Sequence, residues 1–279
     1  MLSKEIIFSD NAFHNFKDYI YKLSGIHISY AKKDFLQSRL TNRLKELNLY
    51  SFEDYYKYLI KEGSKDNNLE ITKFLDDVST NLTYFYREAS HFDYLYSDIL
   101  PKFKKKPSIV IWSAGCAAGA EAYTIAICIK EYFRLNKIKP KDQPRIQIYG
   151  SDISMNSLKE AKKGIYIKNM LHDMPDHIKK RYFMEGIRSM KGYFKINPEV
   201  KKIVQFSSFN LLDPFSFNLK FDIIFCRNVM IYFNSEIRIK VTTKLFDKLL
   251  NDGYLFVSHS EYVSSLKNKC VASSIYQKR

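Results

Sequence analysis

Along the chain, the spacing of hydrophobic positions changes character near residue 107. Before that point apolar residues recur at three- and four-residue spacings: Leu36, Leu40, Leu44 and Leu47 form one stripe on a helix of about 3.6 residues per turn. Similar patterns at 52–60 and 69–82, separated by a turn-rich stretch at 62–68, make residues 11–80 read as helices. Beyond residue 107 short apolar runs alternate with helical patterns, the signature of a parallel α/β sheet. Strands are predicted at 109–112, 146–149, 203–206, 221–226 and 254–257, and helices at 121–133, 154–163 and 236–250. Ser154 is placed to cap its helix and Gly253 to stop the last one. Residues 182–204 fit neither period, and their short segments broken by Gly186, Gly192 and Pro198 suggest a small antiparallel insertion near 180–204. The expected division is therefore a helical part, residues 1–80, followed by an α/β part, residues 81–279.

Composition narrows the class. With 46% hydrophobic and 27% charged residues, the 279-residue chain is not disordered and has enough apolar material for a sizeable core. No run approaches the roughly 20 apolar residues of a membrane span. Nor does the N-terminus show a basic region followed by an apolar block and cleavage site, so a cytoplasmic location and a monomer are expected. Cys116, Cys128, Cys226 and Cys270 are far apart and form no C-x-x-C pair, which argues for free thiols and against a zinc cage; no metal is expected. The formal charge of +15 invites a nucleic-acid reading. Residues 1–80 are neutral, however, and the excess in 81–279 is mostly scattered lysine, such as Lys104–Lys106 and Lys201-Lys202, the default for a solvated surface.

Four segments carry candidate chemistry. In Phe221 to Phe233, FDIIFCRNVMIYF, an apolar strand exits into Arg227, Asn228 and Tyr232, and ligands of open α/β sheets bind beyond the carboxyl ends of such strands. Taken alone, Arg-Asn serves equally well as a turn, and Tyr232 as a half-buried core tyrosine. In Trp112 to Glu121, WSAGCAAGAE, a strand passes through small residues into a helix whose first amides are free to meet a ligand; neither G-x-G-x-x-G nor a Gly-Lys-Ser/Thr ending is present, and tight packing is the competing explanation. Asp152 ends the next strand, where a carboxylate can accept from both hydroxyls of a ribose. At the junction, Asn81 to Arg87, NLTYFYR, offers short polar groups and a permanently charged fork, though a helix end with a surface arginine would read the same way.

Together these segments resemble the CheR chemotaxis receptor methyltransferases, which use S-adenosylmethionine to methylate glutamates on chemoreceptor helices. NLTYFYR is similar to the family's N-x-T-x-F-F-R, SAGCAAGAEAYTIA to its S-A-G-C-S-T-G-E-E-P-Y-S-I-A, and GSDIS to its A-T-D-I-D; FCRNVMIYF matches almost letter for letter, and GYLFVSHSE resembles G-Y-L-F-x-G-H-S-E. The resemblance implies an S-adenosylmethionine-binding, Rossmann-like α/β sheet with an N-terminal all-α domain and a small antiparallel β-subdomain. It implies cofactor contacts from Asn81, Thr83, Arg87, Glu121, Asp152, Asn210, Leu211, Arg227 and Asn228, with Arg87 and Tyr232 at the reacting end and S-adenosylhomocysteine as product. Two positions depart from the pattern: Ala120 stands where the family has the first of two glutamates, and Ala122 where it has proline.

The expected reaction is in-line methyl transfer to a glutamate carboxylate, which is ionised at neutral pH (reference pKa about 4.3), so the lack of an obvious His/Asp pair is unsurprising. The resemblance also implies docking of chemoreceptor helices on the first domain, with Lys32, Arg39 and Arg43 as candidates, and in some members a grip on a receptor tail by the β-subdomain. Snorkelling beside the leucine stripe is the competing account of the arginines. Two rivals remain: a catalytically weak or silent receptor-binding adaptor on the same fold, and a nucleic-acid methyltransferase. The second is disfavoured because CRNVMIYF stands where such enzymes carry a Pro-Pro-Tyr-like clamp.

Overall fold

The computed structural model describes residues 6–63 and 69–279, so most of the turn expected at 62–68 lies outside the described residues. Four helices come first: α1 (Asp10–Ser24), α2 (Lys33–Glu46), α3 (Phe52–Gly63) and α4 (Leu69–Val78). Ser9 caps α1 by accepting from the Ala12 amide at 3.1 Å, and Gly25 ends it with φ 73 in the left-handed region. Leu36, Leu40 and Leu44 are fully buried against Phe13, Phe16, Phe52, Tyr55 and Phe74, in a core that belongs to the helices alone; Leu47 only borders it. Each such burial contributes roughly 1.5–3 kcal/mol, which makes this stripe the main reason α2 packs inward.

α4 stops at Val78, four residues short of the expected end. Asn81 Nδ2 donates to Ser79 Oγ at 3.0 Å, a local side-chain bond beyond the helix end, and the chain then runs without regular structure toward the sheet.

Arg43 corrects an expectation. It is 7% exposed, its Nε donates to Glu70 at 2.9 Å, its other nitrogens reach Glu70 and Glu46, and the Tyr55 hydroxyl donates to Glu70 at 3.0 Å. α4 covers the side of α2 that carries this arginine, so Arg43 offers no free charge to a partner. Arg39, one turn earlier, is exposed and lies 5.0 Å over the Phe35 ring. Burial raises the Glu70 carboxyl, but Arg43 and Tyr55 outweigh it and hold the group below its ordinary value.

Short helices α5 (Ser90–Tyr94) and α6 (Leu100–Phe103), joined by one π turn, lead into the sheet. There follow β1 (Ser108–Ala114), α7 (Ala120–Leu135), β2 (Arg145–Asp152), α8 (Met155–Lys163), β3 (Ile165–Ile167), α9 (Asp176–Tyr182), β4 (Phe183–Glu185), β5 (Tyr193–Ile196), α10 (Pro198–Lys201) and β6 (Val204–Ser208). The chain ends with β7 (Phe221–Cys226), α11 (Ser235–Asp247), β8 (Leu249–Val257), β9 (Cys270–Ala272) and β10 (Ile275–Gln277). The main sheet has the order β6-β2-β1-β7-β8-β10-β9; its first five strands are parallel, and β10 runs antiparallel to β8 and β9. Alternation divides the side chains between two cores: Ile223, Phe225 and Phe256 face one layer, Ile224, Leu255 and Trp112 the other. Since the chain steps outward from β1 to β2 and β6 and then returns to β7 on the opposite side, the carboxyl ends of β1 and β7 flank a crevice. Among the described residues no helix is long and apolar enough to cross a membrane.

Two boundaries differ from expectation. The small antiparallel sheet, β3-β5-β4, spans 165–196 rather than 180–204, because Ile165-Tyr166-Ile167 joins it directly after the α8 cap Gly164. α11 ends at Asp247, and Gly253 lies inside β8 instead of stopping a helix. The β7–β8 register shifts there, and a Cβ on Gly253 would stand 2.8 Å from the Leu250 carbonyl and 3.0 Å from that of Asp222. The glycine serves close backbone approach at a bulge.

Breaking the Arg43–Glu70 pair leaves a buried charge unpaired, so Arg43→Ala should lower stability to denaturant by about 3–5 kcal/mol; unchanged stability would show that the arginine is not held as described. Asp77 gives a pH-dependent counterpart. Burial raises its carboxyl from 3.8 to about 6 against the pull of Arg43. A raised folded-state pKa means the penalty is absent below pH 3.8 and grows until about pH 6. Asp77→Asn should therefore stabilise the protein near pH 7 by roughly 1 kcal/mol, discounted for partial exposure, with the gain vanishing in acid.

Candidate functional site

The crevice at the sheet's carboxyl ends is roofed by the helical part. Its empty space, counted out to the open mouth and including solvent there, is about 1230 Å³, and it is walled by apolar side chains with a few convergent polar groups, the usual make-up of a small-molecule site. Four polar bonds hold the roof in place: Asn210 Nδ2 donates to the Leu23 carbonyl at 2.7 Å, the His27 amide to the Tyr232 carbonyl at 2.7 Å, Asn234 Nδ2 to the Tyr21 hydroxyl at 2.7 Å, and Ser154 Oγ to Asp76 at 2.6 Å.

β1 feeds the small-residue loop into α7. Gly115 sits at φ 80, and a Cβ there would lie 2.3 Å from a Val229 methyl, so only glycine lets β1 and the β7 exit approach this closely. Asp152, 7% exposed at the end of β2, accepts from the Ala117 amide at 2.8 Å and the Ser154 amide at 2.9 Å, which fixes its carboxylate at the crevice. Burial raises its pKa while those amides oppose the shift. The helix-capping role goes to Ser154, whose hydroxyl accepts from the Ser157 amide at 3.1 Å.

Arg227 leaves β7 into a buried position, 5% exposed, between two carboxylates: Glu121 at 3.2 Å and Glu88 at 3.4 Å. It also donates to the Arg87 carbonyl. Glu121 in turn accepts from Ser113 at 2.7 Å; burial raises its carboxyl and Arg227 pulls it back. Asn228 adopts φ 59, its amide nitrogen donating to Ser258 at 2.8 Å and Glu88 at 3.2 Å. Asn210 is engaged likewise, accepting from the Leu212 amide at 3.0 Å while clasping α1.

Arg87 contrasts with Arg227. It donates to the Leu82 carbonyl at 3.0 Å and lies 5.8 Å over the Tyr84 ring, but among the described residues it has no carboxylate partner. Tyr232 is half-buried nearby; burial raises its hydroxyl pKa and Arg87 draws it down. Lys32 reaches over the Tyr232 ring at 5.9 Å, at the mouth of the crevice.

Asn81, Thr83, Arg87, Glu121, Asp152, Asn210, Leu211, Arg227, Asn228 and Tyr232 thus line a single crevice, and Lys32 joins them from the turn before α2. Arg39 lies outside that lining on the α2 surface, and Arg43 is inside the helical core. Sequence reasoning passed over Glu88 and Glu261. Glu261 is 1% exposed and accepts from the amides of Ser258 at 2.9 Å, Ile231 at 3.0 Å and Asn228 at 3.2 Å, shaping the loop that carries Tyr232. The available signals were position alone: Glu88 follows NLTYFYR directly, and Glu261 is the last letter of GYLFVSHSE.

Comparison with known proteins gives the following. The family model for the CheR methyltransferase, SAM binding domain, matches residues 81–278, and that for the CheR methyltransferase, all-alpha domain, matches residues 11–79. A chemotaxis protein methyltransferase of Borreliella burgdorferi is 39% identical over 89% of this chain and 87% of its own length. The Salmonella typhimurium protein of that name is 33% identical, over 95% and 88%, and the Escherichia coli one 31% identical, over 96% and 90%.

Gly115→Ala tests the crevice geometry. A side chain at positive φ that also meets Val229 should cost about 1–3 kcal/mol of stability and widen the gap between β1 and the β7 exit. Denaturation with a parallel calorimetric titration of S-adenosylhomocysteine should show both losses; unaltered values in both would refute the close approach.

Proposed function

This chain belongs to the CheR methyltransferase family and is an S-adenosylmethionine-dependent methyltransferase of chemotaxis; from that premise we propose that it esterifies glutamate side chains on chemoreceptor helices, acting in the cytoplasm as a monomer. The observation that carries this reading is the difference between the two arginines of the crevice. Arg227 is neutralised by Glu121 and Glu88, whereas Arg87 keeps an unpaired charge beside Tyr232.

The donor set suits the cofactor. Asp152 stands where it can accept from a ribose diol, the loop around Gly115 admits close approach, and Ile153, Phe209 and Leu211 offer apolar walls. S-adenosylmethionine supplies an electrophilic methyl: a carboxylate oxygen forms the new C–O bond as the C–S bond breaks, sulfur keeping the electron pair to leave S-adenosylhomocysteine. No proton has to be removed, so the chain needs no general base. Its task is alignment, which contributes up to roughly 7–11 kcal/mol when geometry is well held. Arg87 orients a carboxylate, of substrate or cofactor, by its fork, and Tyr232 borders the reacting atoms, its loop pinned by Glu261 and by the His27 amide.

Lys32, in the turn just before α2, and Arg39 on α2 are two exposed cations proposed to meet an acidic receptor helix. Because residues 1–80 are neutral overall, this attraction acts locally, within a Debye length of about 8 Å. The small sheet, whose outer strands β3 and β4 each keep a free edge, is proposed to hold a receptor tail. Against the silent-adaptor reading, Ala120 and Ala122 are fully buried in the layer that packs α7 on the sheet, so the departures from the family pattern fall in packing positions.

Radiolabelled methyl transfer to receptor fragments with and without their C-terminal tails tests the proposal, the label being releasable by mild base as expected of an ester. Arg87→Ala should lower kcat/KM by about 100-fold, the scale of lost alignment. A folded variant with the wild-type rate removes Arg87 from this role, and wild-type protein that binds cofactor without transferring label supports the adaptor.

A further inference from the structure

Glu88, His91 and His259 meet beside Arg227, outside the lining of the crevice, with one ligand atom from each lying within 4.8 Å of the others. Glu88 Oε2 is 3.6 Å from His91 Nδ1 and 3.9 Å from His259 Nε2. Both separations are too long for hydrogen bonds and only slightly wider than the roughly 3.3 Å between ligands of a tetrahedral ion with bonds of about 2.0–2.1 Å.

A second observation is independent of that spacing. His91 is 1% exposed, yet among the described residues neither ring nitrogen has a hydrogen-bond partner, although buried polar atoms are ordinarily satisfied. The surroundings also supply an outer shell. Ser258 at 2.9 Å and Asn228 at 3.2 Å hold Glu88 Oε1, while the His259 backbone amide donates to Oε2 at 3.2 Å and holds that oxygen toward the histidine rings; Ser273 Oγ is 3.4 Å from His259 Nδ1, leaving Nε2 for the common point. Ser90 Oγ, 3.1 Å from that Nε2, is the group an ion would displace. His259 is 42% exposed along its side chain, which opens a path from solvent and a fourth position for water.

We propose that Glu88, His91 and His259 bind one divalent transition-metal ion, with Zn²⁺ the best match to two imidazoles and a carboxylate. Arg227 competes for the same oxygen, at 3.4 Å from Glu88 Oε2. Ion binding therefore loosens Arg227 and opposes ligand binding in the crevice, and by linkage the crevice ligand weakens the ion to the same degree.

Equilibrium dialysis of the full chain against micromolar zinc chloride should find one bound equivalent. His259→Ala, at a side chain 42% exposed, should weaken binding by at least about tenfold, since even outer-shell losses cost 10–100-fold. Cys270→Ser, which removes the exposed thiol, should bind as wild type. Absence of bound zinc in the wild type, full binding by His259→Ala, or loss of binding in Cys270→Ser would each overturn the site. Calorimetric titration of S-adenosylhomocysteine with and without zinc should show weaker binding with zinc in the wild type only; equal affinities refute the coupling.

Discussion

The arrangement of the crevice depends on one buried guanidinium. Arg227 is almost fully enclosed, and an uncompensated charge in such a place would cost several kcal/mol, so its surroundings must supply opposite charge and acceptors. They come from separate parts of the chain: Glu121 from the first turn of α7, Glu88 and the Arg87 carbonyl from the segment that joins the helices to the sheet. Satisfying Arg227 therefore ties the β7 exit, the start of α7 and the interdomain segment to one point. Glu88 itself sits at φ 56 and Asn228 at φ 59, conformations that non-glycine residues adopt only when several bonds fix them. Those bonds are present, from Ser258, His259 and Glu261.

The same anchoring couples the helical part to the crevice. The His27 amide bonds the Tyr232 carbonyl, Asn210 clasps the end of α1, and Asp76 accepts from Ser154 and the Asn156 amide at the start of α8. A shift of the helices against the sheet would have to break these bonds and move Tyr232. Lys32, in the turn before α2, is thus held over the Tyr232 ring at 5.9 Å, the fixed spacing that the proposed docking role requires.

Much of this was legible in the sequence wherever a period or a run of like residues carried the signal. The leucine stripe, the apolar strand 221–226 and the Ser154 cap are local patterns whose physics is local. Arg43 was not legible, because a helix period places it at the edge of the stripe and its fate is decided by Glu70, 27 residues away. Strand β3 has three residues, too few for alternation to register. Gly253 reads as a helix stop until the approach of the Asp222 carbonyl is known. Glu88 and Glu261 are single acids whose importance lies in several backbone and side-chain donors converging on them, a property of the fold that no spacing expresses.

The distribution of charge around the crevice follows from the anchor. Glu121 and Asp152 line its enclosed end and Glu88 stands behind Arg227, so carboxylates outnumber the one buried guanidinium where the protein is most enclosed. Arg87 and Lys32 make the mouth positive. Such a gradient suits a cationic methyl donor within and an anionic acceptor approaching from outside, each drawn to its own end of the crevice. In the reaction proposed above, transfer of the methyl would cancel both charges at once, leaving a neutral thioether and a neutral ester where a sulfonium and a carboxylate had met.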